Sequence, residues 1–550
     1  MTLASISLLF PGAYSHPRQQ NDQTLKLKSE LVQFDILVTD KDGQPVKGLK
    51  KEDFVLSDGG KAQEVSFFSF VDVANESAPA EPANRPDSGA RVLAPAPAAS
   101  PIDTSSGRTI FIILDAYFIG KSSYPALNKA LERLINEDLL PGDQVALIST
   151  NGALAGFQQA TKNKKALLMA IDAFTGNGVG DYASLAQMDA EFAAAQQDIG
   201  MTGNSATAQY VEAKHRDSLR AVLAVAKAAS NVPGRKIAFF ISEDLSMRIT
   251  GQFDAFDNYY SELNQIISQS RSGGTTFYTM DPRGLVVAIP GGSAAEAIGK
   301  SALSNPSPPA DPGASADALL SAQRGLRDLA AGTGGYALLN SNNLHAGLQK
   351  VMSQNSSYYV LAYYPNDLPG KQQFRKVKIQ VRNRPDLKVY SRTGYLWTGS
   401  AQGAQRLAAE STQELVTRAL ASVVPVRDVK VSIIQAAVVN DEKTHARMAK
   451  MAFSIDPNTW PFKVEGPDHI ASFEVRAFCY DLNNNLLGGY SKDYTFKFNP
   501  ATFSKVMQQG MNLHGDPIEI KKRGLYSLRV VVVDKDTNRL GSATEWVQAQ

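Results

Sequence analysis

Between residues 28 and 72 apolar positions alternate with polar ones. LVQFDILVTD and EDFVLSDGGKAQEVSFFSF are broken by turns at Asp42-Gly43 and Gly59-Gly60, the period-two pattern of half-buried strands. From Arg108 the spacing changes. RTIFIILD, QVALIST, GRKIAFFISED and TTFYTMD are short, nearly uninterrupted apolar runs, as strands covered on both faces should be. Between and after them come stretches with helical spacing: YPALNKALERLINEDL opened by Pro125, KKALLMAIDAF, an Ala-rich stretch over 183–230, SELNQIISQSRS, GLRDLAAGTGGYALL running into a fifth strand, and LHAGLQKVMSQ. Strands that alternate with helices predict an α/β doubly wound unit, a mostly parallel sheet with helices on both faces.

Strands return at SSYYVLAYYP, FRKVKIQVRN and LKVYSRTGYLW, and a helical stretch, AQRLAAESTQELVTRALAS, leads to a last all-β region. The predicted boundaries are 1–24, a curtailed export signal or disordered tail; 25–73, the first part of a β-sandwich; 74–107, a Pro/Ala-rich linker; 108–354, the α/β unit with a Pro/Gly/Ala/Ser insertion at 286–318; 355–398, the second part of the sandwich; 399–427, a helical connector; and 428–550, a C-terminal sandwich-like domain. The two short β segments have too few strands to bury a sheet separately. Pairing them leaves the α/β unit inserted in, or flanked by, one β-sandwich.

Composition narrows the function classes. Lys and Arg (56) nearly balance Asp and Glu (54), which argues against nucleic acid or an anionic membrane as main partner. The single Cys479 excludes an intrachain disulfide and a cysteine zinc site, and its strand-like setting reads as a small core residue. LASISLLF followed by PGAYSHPRQQ, with Ala13 and Ser15 placed as in a cleavage site, suggests export, although no Lys or Arg precedes it. No stretch is long and apolar enough for a transmembrane segment.

The run IFIILDAYFIG (110–120) delivers Asp115 to the carboxyl edge of the predicted sheet, where open α/β folds bind ligands. Six motifs in order, VTDKDGQPVKGLKKEDFVLSDGGKAQEVSFF, RTIFIILD, GRKIAFFISED, FYTMDPRGL, LAAGTGGY and YYVLAYYP…RKVKIQVR…RTGYL, make residues 28–396 resemble the VWFA-related (acidobacterial-type) proteins. Residues 108–352 resemble a von Willebrand factor type A domain. The resemblance implies a metal-ion-dependent adhesion site built on Asp-x-Ser-x-Ser, a distant loop hydroxyl and a later acid. Asp115 matches, but Tyr117 and Ile119 occupy the serine places; the later acid falls on Glu243 or Asp244 and the loop hydroxyl on Ser184. Loss of two hydroxyl ligands makes this a degenerate site: a weak Mg²⁺ site at most, with no cofactor expected. Asp115 is then expected to be a strand-end carboxylate close to water, capping the following loop.

Other motifs fall short. Gly299-Lys300-Ser301 lacks the early glycine of a phosphate loop, because Ala294 stands there. Asp534, Asp536, Asn538 and Glu545 have calcium-loop spacing but Arg539 replaces the required glycine. These four, like Asp481, Asn483 and Asn485, read as hairpin turns. Asp281-Pro282-Arg283 reads as a turn with an Arg–carboxylate contact. The six histidines form no metal or catalytic pair, so the chain is expected to be non-enzymatic. The expected role is an exported adhesion or protein-binding protein, its partner docking on the loop edge through Tyr117, Phe118, Phe253 and Phe256. The alternative is a structural subunit of a surface or periplasmic assembly, self-associating through its sandwich domains.

Overall fold

The computed structural model describes residues 31–73, 107–152, 159–175, 206–230, 232, 234–245, 253–285, 312–365, 373–397, 410–441 and 445–549. The fold is mixed α/β, with one parallel and four antiparallel sheets among these residues. The first strands are β1 (Val32–Thr39), β2 (Phe54–Asp58), β3 (Lys61–Gln63) and β4 (Phe67–Asp72).

The α/β unit contains β5 (Thr109–Leu114), α1 (Tyr124–Arg133), β6 (Gln144–Ser149), α2 (Lys164–Thr175), α3 (Ala206–Ala229), β7 (Lys236–Ile241), α4 (Phe253–Gly273), β8 (Thr275–Met280), α5 (Pro312–Thr333), β9 (Ala337–Leu338) and α6 (Leu344–Gln354). Its sheet runs β6-β5-β7-β8-β9, all pairs parallel. Successive residues of β5 point to opposite faces. Ile110, Ile112 and Leu114 pack with α1, α2 and α6, while Phe111 and Ile113 pack with α3, α4 and α5. Because β6 and β7 lie on opposite sides of β5, the chain reverses its winding direction at the end of β5. A crevice is expected there.

One sequence expectation changes here. Residues 312–318, assigned to a surface insertion, belong to α5. Proline fits the first helical turn, where its missing N–H is not needed, and the following Ala-rich segment favours helix. Within the helical connector expected at 399–427, α7 below is helix; residues 398–409 lie outside the described set, as do Gly299-Lys300-Ser301 and the amino-terminal segment.

The chain continues through β10 (Ser357–Tyr363), β11 (Gln373–Val381), β12 (Lys388–Tyr390) and β13 (Gly394–Trp397). These pair with the strands that precede the α/β unit, in sheets β12-β1-β10-β4 and β13-β11-β2-β3. Phe34 lies opposite Leu361 and Leu56 opposite Ile379, and both sheets share one core. At its edge Asp58 is buried and accepts bonds from Tyr363 Oη (2.9 Å), Tyr395 Oη (3.0 Å) and Arg375 Nε (2.9 Å). A buried carboxylate is tolerable when so satisfied.

After α7 (Thr412–Ala421) come β14 (Val431–Asn440), β15 (Arg447–Ile455), β16 (Lys463–Glu465), β17 (Asp468–Tyr480), β18 (Leu486–Phe498), α8 (Pro500–Gln509), β19 (Met511–His514), β20 (Ile518–Ile520), β21 (Gly524–Asp534) and β22 (Leu540–Ala549). They form two antiparallel sheets around one core that includes Cys479, which is wholly buried and whose thiol burial pushes up to about 11. Asn484 and Asn538 sit in turns with φ of 63° and 56°, so the two calcium-like spacings are turn chemistry between paired strands. Leu525 and Trp546 join the core beneath α1, α2 and α6, tying this domain to the α/β unit.

Candidate functional site

Strand β5 stops because its last residue is followed by a turn. The Asp115 carbonyl accepts the N–H groups of Phe118 (3.1 Å) and Ile119 (3.0 Å), while the Asp115 N–H still donates to Ile241 in β7. This places the Asp115 side chain at the carboxyl end of β5 beside that of β7, but not in water: it is 0 % exposed. The expectation of a solvated cap is therefore corrected. Ser218 Oγ (2.8 Å) and Thr150 Oγ1 (3.0 Å) donate to Oδ1, and Ser242 Oγ (2.9 Å) donates to Oδ2. Thr150 in turn accepts the Ala116 N–H at 3.0 Å. Burial pushes the Asp115 carboxyl up to about 6, against the opposing effects of the three hydroxyls and of His215.

The other predicted site residues separate. Glu243 turns toward the loop after β5: its Oε1 accepts the Gly120 N–H at 2.8 Å, and Ser123 also bonds its carboxylate. Burial holds Glu243 above the usual carboxylate range, with those two bonds opposing. A Cβ added at Gly120 would stand 3.3 Å from the Glu243 oxygens, so a larger residue there would push the Glu243 carboxylate by a few tenths of an ångström. Asp244 lies beside His215, Oδ2 to Nε2 3.6 Å. Ser184 lies outside the described residues. Ile119 buries its side chain in the core shared with α1 and has no oxygen to supply. Among the described residues no group of three or more His, Cys, Asp or Glu side chains is placed to hold a metal.

Of the aromatics expected to be exposed on this edge, Phe118 is buried, 4 % exposed. It stacks on His215, which α3 carries under the loop; an apolar ring pairs with another ring there instead of facing water. Tyr117 is half-buried beneath the Lys214 ammonium, 4.5 Å from its ring centre. Phe253 and Phe256 lie in the first turn of α4, with side chains outside the described set. At β8 the Asp281-Pro282-Arg283 turn forms the expected contact: Arg283 Nε and Nη2 bond the Asp281 carboxylate at 2.9 and 2.7 Å, and Nη2 also donates to the Glu243 carbonyl.

Sequence reasoning missed Thr150, Ser218, Ser242 and His215. Thr150 and Ser242 each follow a buried strand directly, and that position was a usable signal. Ser218 and His215 share a helix face by their three-residue spacing, but nothing local marks that face as turned to Asp115. Among the described residues the buried Nε2 of His215 has no hydrogen-bond partner.

No protein-family model matches the sequence, and no curated protein matches it. Solved structures offer only remote likenesses. The β-glucuronidase of Bacteroides uniformis is 10% identical over 35% of this chain and 18% of that one, with a TM-score of 0.13. A second structure of a Bacteroides uniformis β-glucuronidase, covalently bound to cyclophellitol-6-carboxylate aziridine, gives 9% identity over the same shares and the same TM-score, 0.13. Dimeric latent PorU of Porphyromonas gingivalis is 10% identical over 36% of this chain and 26% of that one, with a TM-score of 0.10. The chain thus spans about a quarter or less of the length of these proteins, and at such scores none of them informs fold or function.

Proposed function

We propose that the protein is an exported, non-enzymatic binding protein whose von Willebrand A-like unit offers its carboxyl edge to a protein partner without a resident metal. The observation that carries this reading is the condition of Asp115: wholly buried, with both carboxylate oxygens engaged by hydroxyls from three different elements. Mg²⁺ demands near-octahedral oxygen geometry and an open side toward its partner. A carboxylate engaged by three hydroxyls instead braces the strand ends from which the loop rises. What the loop then presents is Tyr117, Gly120, Lys121 and Ser122, all at least partly exposed, and such loops on rigid sheets often carry binding.

The test is retention of host envelope proteins on the immobilised chain, with and without EDTA, beside a Tyr117→Ala/Lys121→Glu variant. The reading expects a partner retained equally with chelator and lost with the loop variant. Retention that vanishes in EDTA and returns with Mg²⁺, or that ignores the loop changes, overturns it.

One observation favours the structural-subunit reading as second. Strand β18 pairs only with β17, leaving its outer edge without a partner strand among the described residues, and Leu486 and Leu487 at its start are exposed. Open edges of this length invite strand addition. Concentration-dependent assembly of the purified chain would support it.

A further inference from the structure

At the opposite, amino-terminal edge of the parallel sheet, β1 of the first sandwich meets the start of β7. A cavity of about 210 Å³ lies in this seam, lined by Gln33, Asp35, Arg235, Lys236 and Arg392 with the backbone of Gly234, Gly273 and Gly274. Three of its side chains are cations and one is an acid. Arg235 and Lys236 are 3 % and 6 % exposed, and Arg392 is half-buried. Among the described residues none of the three makes a salt bridge, and Asp35 accepts a bond from the Gln33 amide at 3.1 Å.

The donors are only partly used. Arg235 spends Nε and Nη2 on Asn355 Oδ1 (2.9 and 2.7 Å) and Nη2 also on Thr276 (3.1 Å), which fixes its plane. Lys236 Nζ donates to the Val232 carbonyl at 2.8 Å, one of three N–H groups it carries. Arg392 donates to the Gln33 carbonyl and lays its guanidinium 4.5 Å over the Phe34 ring. Gly274, with φ of 69°, keeps the wall thin: a Cβ there would stand 3.3 Å from Arg392 Cβ. Burying like charges together is costly unless a counter-charge fills the space between them.

We propose that this cavity is a binding site for a small tetrahedral oxyanion of the phosphate class, held by Lys236 and Arg392 and oriented against Arg235. The volume admits one such ion with a few waters, and planar guanidinium groups match its oxygens. Burial lowers the Lys236 ammonium to about 8 and also lowers Arg235 and Arg392, with the nearby Asp35 carboxylate among the opposing effects in each case. The site lies away from the Asp115 edge and does not depend on the function proposed for it.

Titration of the full chain with inorganic phosphate, followed by calorimetry and by melting against potassium chloride at equal ionic strength, tests this. Saturable binding with a rise in melting temperature is expected. Lys236→Met and Arg392→Gln should each weaken it about tenfold or more, as loss of a charge-assisted bond does, and Asp35→Asn should tighten it. Arg392 is partly exposed, so its variant remains informative if Lys236→Met fails to fold. Absence of saturable binding, a phosphate effect that is unchanged in both variants, or binding of acetate in place of phosphate overturns the proposal.

Discussion

Phe118 and His215 lie face to face, ring centroids 4.1 Å apart with 7° between their planes. The stack fastens the loop after β5 to α3. Phe118→Ala removes a buried ring from under its own loop and should cost about 3 kcal/mol, read as a lower urea midpoint. Tyr117→Ala, at a half-exposed position, should cost under about 1 kcal/mol. Equal losses for the two would contradict the different burial of these neighbours.

Asp115 should leave a signature in the pH dependence of stability. Its folded pKa of about 6 stands above the ordinary 3.8, so the folded chain holds this proton more tightly than the unfolded chain. The contribution is full below about pH 4 and is lost as pH rises through 6. Two pKa units correspond to about 3 kcal/mol. Asp115→Asn does not titrate, so the stability of the natural chain relative to this variant should fall by about that amount between pH 4 and 7. Urea unfolding of both proteins across that range measures it, and a constant difference would refute it.

Removing the carboxylate is a separate matter. Asp115→Ala leaves Ser218, Ser242 and Thr150 without their shared acceptor in a dry site, and each such loss costs about 1–3 kcal/mol before relaxation. A net loss of about 2–4 kcal/mol is expected, together with no Mg²⁺-specific change in the melting of the natural protein. A Mg²⁺-dependent rise that Asp115→Ala abolishes would place a metal at this carboxylate after all.

The entry to β5 is held by a buried ion pair. Arg108 Nε and Nη2 bond Asp143 at 3.0 and 2.6 Å, and Nη1 reaches the Met352 carbonyl at the end of α6 at 2.6 Å. Both side chains are almost fully buried. Asp143→Ala strands a guanidinium and should cost about 3–5 kcal/mol, whereas Arg108→Met with Asp143→Leu should recover much of that. Denaturant titration of the single and double variants decides whether the pair stabilises the fold or only satisfies itself.

In the first sandwich, Tyr395→Phe deletes one of the three donors to Asp58. A loss of about 1 kcal/mol is expected. Because β13 carries Tyr395 while β2 carries Asp58, the melting of segments on both sides of the α/β unit should shift together. Hydrogen exchange that loosens in β13 alone, with β2 unchanged, would show that the two halves do not share a core.

The sequence by itself determined most of the strands and helices and their order, because periods of 2 and 3.6 are local properties that each segment carries alone; it missed α8 and the short strands β16, β19 and β20 inside the region read as all-β. It also placed Asp115 at a strand end and marked the loss of oxygen ligands at Tyr117 and Ile119. It could not place Asp115 in the dry interior. The three hydroxyls that bond it stand 35, 103 and 127 residues away in the chain, on two strand ends and a helix. The same holds for the cationic seam, where Asp35, Lys236 and Arg392 come from three distant segments. Only the packing of the sheet against its helices and the sandwich brings such groups together, and burial then alters their ionisation. Exposure misled most at Phe118: an aromatic in a loop reads as available until the tertiary structure supplies a ring for it to cover.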